Sequence, residues 1–198
     1  SSDLGAFGIE DVADDLIALL RALDIGSIDI VGGALGSIVG MLIAIRAPSL
    51  VRRLMLCAVA PDMAGPTRDY LVQRSAKVRT VGMRAVADAS LNNSFPETHA
   101  ELRREYRGIY LANDPNAYAE LSLALARAEL RPDDWRRVAC PTLVAPGAHD
   151  FLWTPAIAQG VADLVPGARL EVMHDAGHFP HLQAPVTLSR MALGFFAE

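Results

Sequence analysis

Two hydrophobic rhythms alternate along this chain, one with the period of a helix and one of short, wholly apolar runs. From Ile9 to Leu23 the apolar residues recur at helical spacing, with Val12, Leu16, Leu19, Leu20 and Leu23 on one face. Glu10, Asp11, Asp14 and Asp15 load the N-terminal half with charge that suits the positive end of the helix dipole, and Gly26 ends the element. Ile28 to Val31 is a short β-branched run that predicts a buried strand. A second helix is predicted from about Leu35 to Arg46, stopped by Pro48, and Leu54 to Val59 reads as another strand covered on both faces.

The rhythm then changes. From Asp62 to about Trp135 the pattern is helical, over Met83 to Leu91, Ala100 to Leu111 and Ala117 to Leu130, with breaks at Pro66, Pro96 and Pro115. After Pro141 the alternation returns as strand Thr142 to Ala145, helix Ala156 to Leu164, strand Arg169 to Met173 and helix Pro185 to Phe196. Apolar strands alternating with helices predict an α/β fold with a doubly wound, mostly parallel sheet. The chain divides accordingly into a core segment, 1–61, an inserted helical cap, 62–135, and the rest of the core, 136–198. There are no internal repeats or low-complexity tracts.

Composition narrows the classes. With 198 residues, 52% hydrophobic, and a net charge of −5, the chain suits one globular unit with a substantial core. The pairs Arg52-Arg53, Arg103-Arg104 and Arg136-Arg137 are scattered, so no basic footprint for nucleic acid forms. No apolar run reaches the length of a membrane span, since Ile38 to Ile45 is bounded by Arg46. Cys57 and Cys140 are distant and each lies in an apolar run, which predicts buried free thiols and a reducing, cytoplasmic setting.

The chemistry concentrates in three places. Ile28-Asp29-Ile30-Val31-Gly32-Gly33-Ala34-Leu35-Gly36-Ser37 joins a strand, a G-x-A-x-G turn and a helix without a spare residue. This is the layout of a nucleophile elbow, with Ala34 where the nucleophilic serine would stand. Gly32 and Gly36 are expected to avoid collisions with the neighbouring strand and helix, and Ala34 to sit at positive φ. A dinucleotide-binding turn is disfavoured, because neither G-x-G-x-x-G nor a ribose-binding acid is present. Pro141 to Asp150 forms a strand followed by a G-x-x-D loop, and Asp175-Ala176-Gly177-His178-Phe179-Pro180 follows the final strand. The order elbow, Asp150, His178 places an acid and a base just beyond the ends of parallel strands. There the carboxylate would fix the imidazole tautomer and leave the other ring nitrogen as general base.

Together these motifs resemble the α/β-hydrolase superfamily over the whole chain. The chain is similar in particular to the branch of 3-oxoadipate enol-lactonases and aminoacrylate-hydrolase-like proteins. The residues behind that likeness are Val31 to Met41, Val81-Gly82-Met83-Arg84-Ala85-Val86-Ala87-Asp88, Asn113-Asp114-Pro115, and Pro166-Gly167-Ala168-Arg169-Leu170 leading to Ala176-Gly177-His178. Some members of the aminoacrylate-hydrolase-like branch carry Ala-Leu-Gly at the elbow, as Ala34-Leu35-Gly36 does here. The resemblance implies a small-molecule hydrolase needing no cofactor, with the Leu35 N–H as one oxyanion donor. It also implies that the chain begins after further strands and a histidine-glycine oxyanion loop, on the order of sixty residues at ordinary element lengths. A fold so truncated would pair with a separate chain supplying those strands.

Other candidates read more plainly. His149, His174 and His181 lack the carboxylate company of a metal site and are expected at the pocket rim or surface. Cys57 is expected to be inert; Trp153 and Phe179 are candidates to line the pocket mouth, with core or rim packing the more economical reading. Arg84, Arg127 and Arg131 in the cap are candidates to meet a substrate carboxylate. Three functional readings stand. Asp150 and His178 activate water directly against a small lactone, ester, enamine or carbamate-like substrate; or a serine enzyme has been altered to alanine; or the fold binds a ligand or partner without catalysis.

Overall fold

The computed structural model describes residues 7–63 and 65–198, so the first six residues of the first segment and Ala64 of the second lie outside the description. Among the described residues β1 (Ile28–Gly33), β2 (Val51–Cys57), β3 (Thr142–Val144) and β4 (Arg169–Leu170) form one parallel sheet in the order β1-β2-β3-β4. Around it lie α1 (Ile9–Ala22), α2 (Leu35–Arg46), α8 (Pro155–Leu164), α9 (Pro180–Gln183) and α10 (Pro185–Phe196). Between β2 and β3 the regular elements among the described residues are all helical, the α-helices being α3 (Pro66–Val81), α4 (Arg84–Ser94), α5 (Ala100–Leu111), α6 (Pro115–Arg127) and α7 (Pro132–Arg136). Pro66 and Pro115 open helices there, at the first position, where the missing N–H has no intrahelical role.

Strand ends differ from the sequence expectation for local reasons. β2 starts earlier, because Val51 pairs with Ile28, and ends at Cys57, because Ala58 turns the chain at φ 49°. β4 is short, yet the chain beyond it stays extended: the Glu171 N–H donates to Val144 O, the Met173 N–H to Pro146 O, and Gly147 bridges Met173.

The face of α1 is corrected in part. Val12 and Leu20 pack half-buried against the core, but the buried row is Ile9, Ala13 and Ile17, spaced four apart, and Leu16, Leu19 and Leu23 are 39%, 52% and 59% exposed. Small Ala13 belongs to the row facing the core, in the cluster that holds α2. At the rim the Arg46 Nη1–H donates to Asp14 Oδ2 at 2.6 Å, fixing which side of α1 meets the end of α2. Amphipathicity identified the helix, but its wide apolar arc left the buried row ambiguous.

Two interior clusters matter for the site. One spans the sheet and takes in α2 from Ile38 to Ala44, together with Leu54, Leu56, Val144 and Trp135 of α7. Trp135 is fully buried and its indole N–H donates to Pro61 O at 2.8 Å. The other lies within the helical block, around Val78, Met83, Val86, Leu91, Phe95 and Tyr110.

The orientation of α1 is testable. Ile17→Ala should lower the free energy of unfolding by about 2–5 kcal/mol, whereas Leu19→Ala should stay within about 0.5 kcal/mol of the parent. Urea denaturation of both variants measures this, and the opposite ranking would return the leucine face to the core.

Candidate active site

β1 delivers the chain to the site through close backbone contact. A Cβ on Gly32 would lie 2.5 Å from Gly36 O and 2.8 Å from the Ser37 Cα, so strand and helix meet only because that side chain is missing. Gly36 does not share this constraint: a Cβ there meets no atom within 4 Å among the described residues, contrary to the expectation of a second collision. Ala34 between them adopts φ 51°, ψ −117°, a left-handed conformation costing about 1–3 kcal/mol for a residue with a Cβ. The neighbourhood holds it there. The Ala34 N–H donates to Cys57 O at 2.9 Å, and the buried Ser37 Oγ lies 2.8 Å from both Gly32 O and Cys57 O. Leu35 takes the first position of α2, where a backbone N–H has no carbonyl of its own helix to meet.

The acid and the base come from two loops that touch. A Cβ on Gly147 would fall 2.4 Å from Gly177 O and 2.6 Å from Ala176 O, so this glycine lets the loop after β3 lie against the loop bearing His178. The His149 N–H then donates to Ala176 O at 2.9 Å. Asp150 is fully buried; its Oδ1 accepts from the N–H groups of Leu152 at 2.9 Å and Trp153 at 3.0 Å. Its Oδ2 is 2.9 Å from His178 Nδ1, and the imidazole is only 9% exposed. Facing a carboxylate, Nδ1 carries the proton and donates it, which leaves Nε2 with a lone pair. The ring is wedged edge-on between Trp153, 5.5 Å away, and Phe179, 5.2 Å away.

Gln183 secures the histidine loop. Its Oε1 accepts from the N–H groups of Gly177 at 2.8 Å and Phe179 at 3.0 Å, and its Nε2 donates to Ser94 O at 3.0 Å. The His178 N–H donates to the same Ser94 carbonyl at 3.3 Å, so the end of α4 holds the loop from above.

A cavity of about 490 Å³ joins these pieces, with Ala34, Leu35, His178, Trp153 and Phe179 lining one part and residues of α3, α5 and α6 another. Trp153 belongs to the core cluster and Phe179 packs against the cluster of the helical block, as expected, and both also flank the imidazole and line the cavity. Of the basic residues weighed in the cap, Arg84, Arg127 and Arg131 do not line it. Arg74 does, beside Tyr70, Tyr110, Tyr118 and Ser122. His181 lies at the surface, and lost hydration on the side of its ring turned to the protein, with the nearby His178, pushes its pKa below the ordinary histidine value. Cys57 is buried, and burial pushes its thiol up to about 12, which keeps it protonated and unreactive. Among the described residues no group of three or more His, Cys, Asp or Glu side chains is placed to hold a metal ion. Nor is any helix among them long and apolar enough to cross a membrane.

This fold and this meeting of elbow, acid and histidine define the α/β-hydrolase class. The alpha/beta hydrolase family model matches residues 1–190, and the chain belongs to that family. The chain is 26% identical over 189 residues to 3-oxoadipate enol-lactonase 2 of Acinetobacter baylyi, covering 93% of this chain and 69% of that protein. It superposes on the crystal structure of the enol-lactonase from Burkholderia xenovorans with a TM-score of 0.89 at 28% identity, covering 98% of this chain and 75% of the other. A thermophilic esterase from Thermogutta terrifontis, solved with malate bound, gives a TM-score of 0.90 at 25% identity and covers 98% and 73%. These relatives are two enol-lactonases and an esterase.

The two glycines of the elbow should behave differently. Gly32→Ala forces backbone apart and should cost about 1–3 kcal/mol or more. Gly36→Ala should be neutral or stabilise by up to about 1 kcal/mol, since it sits in a helix with room for a methyl group. Thermal and urea unfolding of the pair checks this; equal losses would place Gly36 in a tight contact after all.

Proposed function

We propose that the protein hydrolyses a small lactone, ester, enamine or carbamate-like substrate, with Asp150 and His178 activating water directly. The observation that carries the reading is the buried Asp150–His178 pair, 2.9 Å apart, opening on the cavity that Ala34 and Leu35 also line. In this mechanism His178 Nε2 takes a proton from water as the oxygen attacks the substrate carbonyl. Asp150 stabilises the imidazolium that forms, and the Leu35 N–H donates to the developing oxyanion. Collapse of the tetrahedral species breaks the bond to the leaving group, which receives the proton back from His178. Ala34 contributes no nucleophile, so no acyl-enzyme forms. The enol-lactonase relatives supply the substrate class by analogy only.

Ala34 itself favours a second reading. A triad stripped of its serine typically retains only about 10³–10⁴-fold catalysis over water. The same cavity could therefore serve to bind a ligand without turning it over.

Restoring the serine and removing the base separate these readings. Ala34→Ser places a hydroxyl on a backbone already bent for it and should create or raise activity on 4-nitrophenyl acetate; His178→Ala in that background should abolish the gain. In the parent protein His178→Ala should reduce lactone or ester hydrolysis by about 10²–10⁴-fold. Measurable parent turnover that is indifferent to His178 would rule out direct water activation. Ligand binding without any turnover would establish the binding reading.

A further inference from the structure

Arg74 reaches the cavity from α3 in an environment that leaves one edge of its guanidinium for a ligand. Its Nε and Nη2 donate to the Ser122 Oγ at 3.3 and 3.1 Å, and the Ser122 hydroxyl proton goes to Tyr118 O at 2.8 Å. That hydroxyl therefore acts towards Arg74 purely as an acceptor. The rings of Tyr70 and Tyr118 flank the cation, with centroids 5.4 and 5.1 Å from Cζ. Stacking and the serine fix the plane of the group. A guanidinium has five N–H donors in a rigid fork, and Ser122 uses only the Nε/Nη2 side. The Nη1/Nη2 end, with two parallel donors, has no carboxylate within ion-pair distance among the described residues.

The adjoining wall is also a donor. Tyr110 and Tyr118 share a hydrogen bond of 2.7 Å between their hydroxyls, which uses one of the two phenol protons and leaves the other. Burial is the main cause that holds the Tyr118 phenol well above its ordinary pKa, so it stays protonated beside the cation. Donors converge here on a cavity whose other walls include Ala34, Leu35, Leu152, Trp153 and Phe179. That arrangement matches an anion with two in-plane oxygens.

We propose that Arg74 is a specificity residue that binds a carboxylate on the substrate, so that the protein acts on anionic lactones or esters in preference to neutral ones. The proposal rests on reading the cavity as the substrate site. The bidentate pair fixes one end of the molecule, while its scissile carbonyl occupies the part lined by His178 and Leu35. Ser122 is then a positioning residue, aiming the fork through the bonds it accepts.

The test is a binding measurement, so that it stands apart from whether the protein catalyses anything. Monomethyl succinate and dimethyl succinate both carry the ester, but only the first carries a carboxylate. By calorimetry the full chain should bind monomethyl succinate about 10- to 100-fold more tightly, the range expected of a charge-assisted pair. Arg74→Met should erase the preference, and Arg74→Lys should keep only part of it, because a point charge replaces a fork. In the parent protein the Arg74 Nε–H NMR signal should move on addition of monomethyl succinate and stay in place with the dimethyl ester, a readout that needs no variant to fold. Equal affinity for the two esters, or a preference that survives Arg74→Met, overturns the proposal and leaves hydrolysis by His178 intact. Selective binding without turnover keeps Arg74 in its role and counts against the hydrolase reading instead.

Discussion

The site depends on how closely β1 and α2 approach one another at Gly32. With 2.5 Å between the position of a Cβ and Gly36 O, no other residue fits without moving the helix. That approach forces the chain to reverse over a single residue, and Ala34 takes the conformational strain. Two bonds to the end of β2, from the Ala34 N–H and the Ser37 hydroxyl, oppose its relief. Placement of Leu35 at the helix start and of Ala34 on the cavity wall both follow. The turn has the conformation that would present a nucleophile even though alanine occupies it.

The second half of the site is assembled on the same principle. Gly147 does for the loops after β3 and β4 what Gly32 does for β1 and α2: its bare backbone lets Ala176 and Gly177 come close enough for Asp150 to reach His178. The polar groups this buries are satisfied locally, with Leu152 and Trp153 amides on Asp150 and Gln183 on Gly177 and Phe179. A buried polar network is tolerable only when its members are bonded in this way. The result is an imidazole held from three directions: by the carboxylate, by its own backbone and by the rings of Trp153 and Phe179.

Much of this was legible in the residues. The elbow, Asp150 and His178 each belong to a contiguous motif at the end of a strand, and local sequence carries both the turn chemistry and the order. The parallel sheet followed from four apolar runs separated by helices, and the start of α10 followed from Pro185 at its first position. What could not be read depends on contact between distant elements. Tyr70 and Arg74 lie four apart on α3, as do Tyr118 and Ser122 on α6, so each pair shares a helix face. Nothing in either segment says that the two faces meet, and Arg84, Arg127 and Arg131 looked as suitable as Arg74. The α1 face was legible only in part: Val12 and Leu20 do meet the core, but Leu16, Leu19 and Leu23 form as apolar a stripe as Ile9, Ala13 and Ile17, and only packing onto α2 decides which row is inward. Gly36 resembled Gly32 by symmetry of the motif, but one backbone atom is crowded and the other is not.

Ser94 O accepts hydrogen bonds from both the His178 backbone and the Gln183 side chain. The last residue of α4 is thereby pinned to the loop that carries the base. Lifting α4 away would deprive two donors of their acceptor at once and leave buried polar groups unmet, at about 1–3 kcal/mol for each group. The helical block is consequently clasped along its histidine side, and any displacement of α4 would also slacken the grip on the imidazole. The position of this helix and the alignment of the base are mechanically linked through a single carbonyl oxygen.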